Sequence, residues 1–264
     1  WRGENTQRGR YREFMQCDFD TIGTTSAISD LETVLVVHDL LAAIGVDKFT
    51  IRINDRRILS GILEVLGLTR KTTHVLRCLD KTGKIPRDAL VRELQEQGVS
   101  SASVDCLLSL GELAGSATDV LGELHKLVGE SAVGTQGVEA VGALLSNLAE
   151  VGIGDDRITL DPSIARGLDY YTGIVLESFL DELPGLGSVC SGGRYDNLAE
   201  LYTKQSLPGV GASLGIDRLL AGLEELDKLK SSETPASIVL AYFDESHLGD
   251  YLRIAARLRE HGLS

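Results

Sequence analysis

The sequence predicts an α+β chain in which strand-forming segments bracket an all-helical insertion. Three observations carry this. Residues 10–20 alternate in character as a strand does, with Arg10, Arg12, Phe14, Gln16, Asp18 and Asp20 on one face. The opposite face, Tyr11, Met15, Cys17 and Phe19 with Glu13 as the exception, reads as core. From residue 55 to 152 apolar positions recur at helical spacing in short pieces, with no strand alternation between them. Strand-like runs then return at 158–160 and 174–179.

Composition narrows the class. The 264 residues carry a net charge of −13, which disfavours broad binding to a phosphate backbone. A local basic strip still exists at the start, in Arg2, Arg8, Arg10 and Arg12. The 4 cysteines (Cys17, Cys78, Cys106, Cys190) and 5 histidines are scattered, which suits neither a metal cluster nor a disulfide framework and fits a reducing cytoplasm. No run of about 18 apolar residues is present, so no membrane span is expected.

In chain order, residues 1–10 read as a strand end and a loop. Ser29-Asp30-Leu31-Glu32 has the spacing of a capping box and predicts a helix from Ser29 through Ile44, closed by Gly45. Residues 49–53 alternate as a strand, and Asp55 caps the helix that follows. The insertion divides into helices over 56–66, 70–79, 87–97, 104–110, 117–128 and 137–151, punctuated by glycines that include Gly134. Residues 187–194 form a strand ending in Gly192 and Gly193, where a ligand or another chain comes close to the backbone. A short helix is expected from Tyr195. Residues 209–215 form a small-residue strand leading into a helix over 216–226. Arg218 in that helix's first turn opposes the helix dipole, which suits an arginine reaching towards an anion or a flat ring. Residues 228–234 and Pro235 read as a linker, 237–242 as a strand and 247–261 as a helix.

The most concentrated polar stretch is 164–177, where Arg166, Asp169, Tyr170 and Tyr171 lie between two strand-like runs. On the 10–20 strand, the cations gather at one end and the carboxylates at the other. That gradient suits a ligand with a negative and a positive end. Asp18 and Arg12 also read as strand-face ion-pair partners, and Arg194 and Asp196 as stabilisers of the entry to the short helix expected from Tyr195.

Several of these stretches resemble one family. Arg166-Gly-Leu-Asp-Tyr-Tyr-Thr-Gly173 looks like the histidine-specific motif of histidyl-tRNA synthetases, and Ser191-Gly-Gly-Arg-Tyr-Asp-Asn-Leu198 resembles the segment that follows it there. Arg2-x-Glu4 with Gly9-Arg-Tyr-Arg-Glu-Phe14 resembles motif 2 of class II aminoacyl-tRNA synthetases, and Gly211-Ala-Ser-Leu-Gly-Ile-Asp-Arg218 resembles motif 3. Asn54-Asp-Arg-Arg-Ile-Leu59 is similar to the start of the family's helical insertion. The resemblance implies a class II synthetase-type antiparallel sheet flanked by helices. It divides the chain into a first part of the catalytic core (1–54), the helical insertion (55–154), a second part of the core (155–228), a linker (229–236) and the start of an α/β anticodon-binding domain (237–264). Motif 1 and most of the anticodon-binding domain have no counterpart here, so the chain is expected to be a fragment.

The same resemblance implies an ATP-dependent histidine–tRNA ligase, cytoplasmic and homodimeric at full length. Its substrates would be L-histidine and tRNA(His), with magnesium bound through the ATP phosphates and no metal held by the protein. Arg2, Arg166 and Arg218 would be catalytic. Arg2, Glu4, Arg10, Phe14 and Arg218 would bind ATP, with the base between Phe14 and Arg218. Gln16, Asp20, Arg166, Tyr170, Tyr171, Gly192 and Gly193 would form the histidine site. The alternative is a catalytically silent, synthetase-like regulatory or tRNA-sensing module. Such modules tend to lose the charged set that this chain keeps.

Overall fold

The computed structural model describes residues 1–3, 5–82, 85–165, 167, 170–229 and 236–263. Its described strands form one mixed sheet. In chain order the elements are β1 (Gln16–Ile22), α1 (Ala27–Ala43), β2 (Phe49–Asp55), α2 (Arg56–Val65), α3 (Thr72–Leu79), α4 (Arg87–Glu96), α5 (Ser101–Ser109), α6 (Ala117–Val128), α7 (Ala132–Glu150), β3 (Ile158–Leu160), β4 (Ile174–Leu180), β5 (Cys190–Arg194), β6 (Gly209–Gly215), α8 (Ile216–Glu225) and α9 (Leu248–Glu260). The sheet order is β1-β6-β5-β4-β2-β3, antiparallel throughout except for the β2–β3 pair. Residues Trp1–Gly222 form one compact unit and Leu223–Ser264 a second.

Register separates the sheet's two faces. One face carries Leu214, Cys190 and Ile51, and next to them Ala212, Gly192, Leu176, Ile53 and Leu160. α1 and α7 cover it, burying Val34, Val37, Leu41, Val138 and Val141 against these strands. The other face carries Asp18, Ser213, Ser191, Glu177 and Arg52 in one row across five strands, with Asp20, Gly211 and Gly193 in the next. A core face and a polar face on one sheet follow from the two-residue strand period.

The helical insertion is part of the larger unit. α2 and α7 cross so closely that a Cβ on Gly61 would fall 2.4 Å from the Gly134 Cα. This corrects the expected start of α7 at residue 137. Gly134 lies inside a helix that begins at Ala132, because the crossing requires a residue with no side chain there.

Other local readings are also corrected. α1 begins at Ala27 with Ser26 as its cap, its hydroxyl accepting from the Ile28 amide at 3.3 Å. Ser29, the expected cap, is buried inside the first turn and receives an Arg194 N–H at 2.9 Å. The alternating segment is a strand only from Gln16. The described residues before it instead form a hairpin closed by Arg2 N–H to the Arg12 carbonyl (2.9 Å) and a Gln7–Arg10 bridge, turning at Gly9 with φ +65°. Its odd face is not core: Tyr11, Met15 and Cys17 are exposed, because β1 is the edge strand and α1 packs over β5 and β6. The expected helix at Tyr195 is a 3-10 turn over Leu198–Leu201. Most of the expected linker lies outside the described residues. Residues 237–242 form no strand, since no neighbouring strand is available to pair with them among the described residues.

Candidate functional site

The N-terminal hairpin, β1 and the first turn of α8 enclose an open cleft on the polar side of the sheet. Three tethers hold the hairpin in place. The bare face of Gly9 rests on the Arg218 backbone, where a Cβ would fall 2.8 Å from the Arg218 Cα. Arg8 donates to the Ala221 carbonyl at 3.3 Å, and the Met15 amide donates to Asp217 Oδ2 at 2.8 Å. An acidic residue in the first turn of α8 is favoured by the helix dipole, and here it also fixes the strand's approach.

Arg2, Arg10, Phe14, Gln16 and Arg218 all line this cleft. The Arg2 guanidinium carbon lies 5.1 Å from the centre of the Phe14 ring, and one of its nitrogens is 3.4 Å from Gln16 Oε1. Gln16 Nε2 in turn donates to the Ser213 hydroxyl on β6. The Gln16 amide is thereby oriented from both ends. Arg218 donates from Nη1 to the Ser188 carbonyl at 2.8 Å, which holds its guanidinium towards the cleft. Three arginines therefore face one cleft in a chain of net charge −13.

Further along the same face lies a second group. Asp20 sits opposite Gly211, and its carboxylate occupies the space a Cβ would fill there. The Tyr195 hydroxyl donates to Asp20 Oδ1. Gly193 lies beside Gly211, and the Tyr171 ring packs over it, 2.9 Å from where a Cβ would stand. The Tyr170 and Tyr171 ring centres are 4.3 Å apart. Burial, followed by the bond to Asp20, pushes the Tyr195 phenol well above its ordinary range, so it stays a donor.

Among the expected site residues, the structure thus brings Arg2, Arg10, Phe14, Gln16 and Arg218 to one cleft. Asp20, Tyr171 and Gly193 stand along the same sheet face, with Tyr170 against Tyr171. It does not bring Gly192 there. Gly192 shares the helix-covered face with Ala212, because adjacent strand residues point to opposite sides. Glu4 and Arg166 lie outside the described residues, as does Asp169.

Ser213, Ser188, Asp217 and Tyr195 were not legible as site residues. Ser213 sits in a run of small residues, and Tyr195 reads as a helix start. Arg194, expected at the turn, is a buried anchor. It bonds Asp30 at 2.6 Å and Asp196 at 3.1 Å, together with the Thr24 and Ser26 carbonyls. Asn54 is also buried, donating to the carbonyls of Pro162 and Ile164 at 3.1 Å each, which fixes the segment leading into the tyrosines. No group of three or more His, Cys, Asp or Glu side chains is placed to hold a metal among the described residues. No helix among the described residues is long and apolar enough to cross a membrane.

A family model described as histidyl-tRNA synthetase matches residues 1–219. The chain belongs to the histidyl-tRNA synthetase family. It is 54% identical over 264 residues to the histidine–tRNA ligase of Rhodopirellula baltica, and 44% identical over 266 residues to that of Wolinella succinogenes. Each alignment covers 100% of this chain and 60% of the relative, so the chain spans about three-fifths of the ligases it resembles. Among solved structures, the histidyl-tRNA synthetase from Nostoc sp. PCC 7120 superposes with a TM-score of 0.78 at 31% identity, covering 96% of this chain and 60% of that one. A Bacillus halodurans protein described as an ATP phosphoribosyltransferase regulatory subunit/histidyl-tRNA synthetase superposes at 0.70 with 22% identity, which speaks to fold alone. The fold is the class II synthetase type that the family implies.

Proposed function

We propose that the native protein is a histidine–tRNA ligase. A histidine carboxylate oxygen attacks the α-phosphorus of ATP, pyrophosphate leaves, and the 3′-terminal hydroxyl of tRNA(His) then takes the acyl group as AMP departs. The observation that carries the reading is the convergence of Arg2, Phe14, Gln16 and Arg218 on one cleft. This chemistry needs positioned charge more than a protein nucleophile. A guanidinium offers two parallel donors to phosphate oxygens, as Arg2 would to the α-phosphate and Arg10 to the outer ones. Phe14 and Arg218 would hold the adenine between an aromatic face and a cation. Gln16, Asp20, Tyr170 and Tyr171 would take the histidine, and Gly193 would leave room for its ring. Glu4 and Arg166 keep their family-based roles at the adenosine and the reacting carboxylate. Magnesium would arrive on the ATP phosphates.

The reading extends to domains and assembly. Residues 1–54 and 155–228 would be the two parts of the catalytic core, 55–154 the helical insertion, 229–236 a linker and 237–264 the start of an anticodon-binding domain. The native protein would be a cytoplasmic homodimer. Histidine-dependent ATP–pyrophosphate exchange by the native gene product tests the activity. A regulatory module would bind histidine without exchange.

A further inference from the structure

We propose that the start of the helical insertion is a positioning element for the reaction: Asn54 and the Arg56 amide hold the two ends of the segment 162–173, which carries Arg166 and the tyrosine pair. The inference deepens the ligase reading and rests on it.

The entry to the segment is held by a side chain. The β2–β3 ladder ends at Ile53 and Leu160, and the Asp161 amide adds one more bond, to the Ile53 carbonyl at 2.8 Å. Beyond it the chain leaves the sheet, and its buried carbonyls need donors from elsewhere. Asn54 supplies them. Its side-chain oxygen accepts from the Asp55 amide at 2.8 Å, which turns its N–H groups to the carbonyls of Pro162 and Ile164. Asn54 is fully buried, so water does not compete for these bonds.

The exit is held by a backbone donor. Arg56 is the first residue of α2, where an amide has no partner within the helix. It donates instead to the Gly173 carbonyl at 2.8 Å. The Thr172 amide makes a second bond, to the Arg194 carbonyl at 2.8 Å. Three consecutive residues, Asn54 to Arg56, thus grip both ends of one loop. The insertion also meets the loop directly, since Pro162 and Ser163 line a small apolar cavity with Leu59, Leu107 and Leu110. α2 is fixed in turn by its close crossing with α7 at Gly61 and Gly134.

This placement bears on the chemical step. A misplacement of about 1 Å in a reacting constellation can cost on the order of a hundredfold in rate. The described residues expected to bind ATP sit on other elements, the N-terminal hairpin, the stretch leading into β1 and the first turn of α8. Disturbing the junction should therefore lower turnover and spare nucleotide affinity.

The test measures pyrophosphate exchange by the native gene product in wild type, Asn54→Asp, Arg56→Ala, Arg56→Pro and Val37→Ala, with the urea midpoint of each. Asn54→Asp keeps the shape but sets a carboxylate against two carbonyls. It should lower kcat about tenfold or more at saturating substrates, with the KM for ATP within about twofold of wild type. Proline suits the first position of a helix, and Asp55 already has the extended backbone (φ −124°, ψ 131°) that a residue before proline adopts. In Arg56→Pro the ring replaces the N–H and displaces the Gly173 carbonyl, while the Thr172 bond keeps the exit tethered. Its kcat should lie about fivefold or more below that of Arg56→Ala, which keeps the amide. Val37→Ala, a fully buried change on α1, should lower the urea midpoint and leave kcat within about twofold. A folded Arg56→Pro protein equal in kcat to Arg56→Ala overturns the inference, and this pair decides alone where Asn54→Asp does not fold. A folded Asn54→Asp protein with wild-type kcat overturns it as well. So does a KM for ATP that rises in step with the loss of kcat, or a loss in Val37→Ala as large as in Asn54→Asp, since either marks general damage. Wild type with no histidine-dependent exchange at all defeats the ligase reading instead.

Discussion

Gly9 rests directly on the backbone of Arg218, so the tip of the N-terminal hairpin and the first turn of α8 meet with no side chain between them. Two of the arginines at the cleft are held relative to each other by this contact, Arg10 beside Gly9 and Arg218 beneath it. The left-handed φ of +65° at Gly9 is also one that branched residues resist. Gly9→Val should therefore lift the hairpin from the helix. The expected result is a rise of at least tenfold in the KM for ATP in pyrophosphate exchange, with the melting temperature lowered by only a few degrees. Unchanged nucleotide affinity would show that the hairpin does not need this seat.

Ser213 orients the Gln16 amide by taking one of its N–H groups, while Arg2 lies at its carbonyl end. Removing the hydroxyl frees the amide to rotate and costs about 1 kcal/mol, the usual net value of such a bond. Ser213→Ala should raise the histidine KM about fivefold and leave the urea midpoint unchanged. Steady-state exchange kinetics at saturating ATP measure this.

Arg194 is a different kind of arginine. Its side chain is 7% exposed and that of Asp30 is 15% exposed, so the pair is shielded from solvent. Removing one partner strands a buried charge, at a cost of about 3–5 kcal/mol. Arg194→Met should destabilise the fold by that order in equilibrium denaturation. Arg194→Met with Asp30→Leu should recover much of the loss, because the orphan carboxylate is gone. A double variant no better than the single one would assign the stability to the Thr24 and Ser26 carbonyl bonds instead.

The cysteines should differ sharply in reactivity. Burial, with smaller contributions from Cys17 and Asp18, pushes the Cys190 thiol up to about 12, and burial pushes Cys78 up to about 11. Cys17 is exposed on the edge strand. Iodoacetamide at pH 8 should modify Cys17 first, with Cys78 and Cys190 protected until the fold opens. The sign for stability follows from the same shift. The folded chain keeps a Cys190 proton that the unfolded chain releases, so this contribution is intact below pH 9 and is lost as pH rises towards about 12. Mass-resolved labelling across pH 7–10 checks the order.

Much of this architecture was legible in the residues, and the failures share one cause. Asp55 was read as a helix cap from local sequence alone, and it caps α2, accepting from the Arg57 amide at 2.8 Å. The 209–215 strand likewise needed only its own residues. Ser29 has the local spacing of a cap, yet its hydroxyl oxygen accepts from Arg194, a partner 165 residues away. Gly134 looks like a helix break within its own segment, because its reason for being glycine lies on α2. The odd face of β1 read as core because alternation reports two faces but not whether a second layer covers either. The site followed the same rule. The charged and aromatic residues of the N-terminal hairpin and of the stretch leading into β1 stand out by type alone. Ser213 and Tyr195 matter through a single bond across strands, which spacing in one segment cannot show.

Histidine-dependent ATP–pyrophosphate exchange by the native gene product bears most directly on the account, measured for wild type and Arg218→Ala side by side. Exchange should require histidine and gain no support from other amino acids, with Arg218→Ala at least tenfold weaker in kcat/KM for ATP. Saturable histidine binding with no exchange, or exchange indifferent to Arg218, would contradict it.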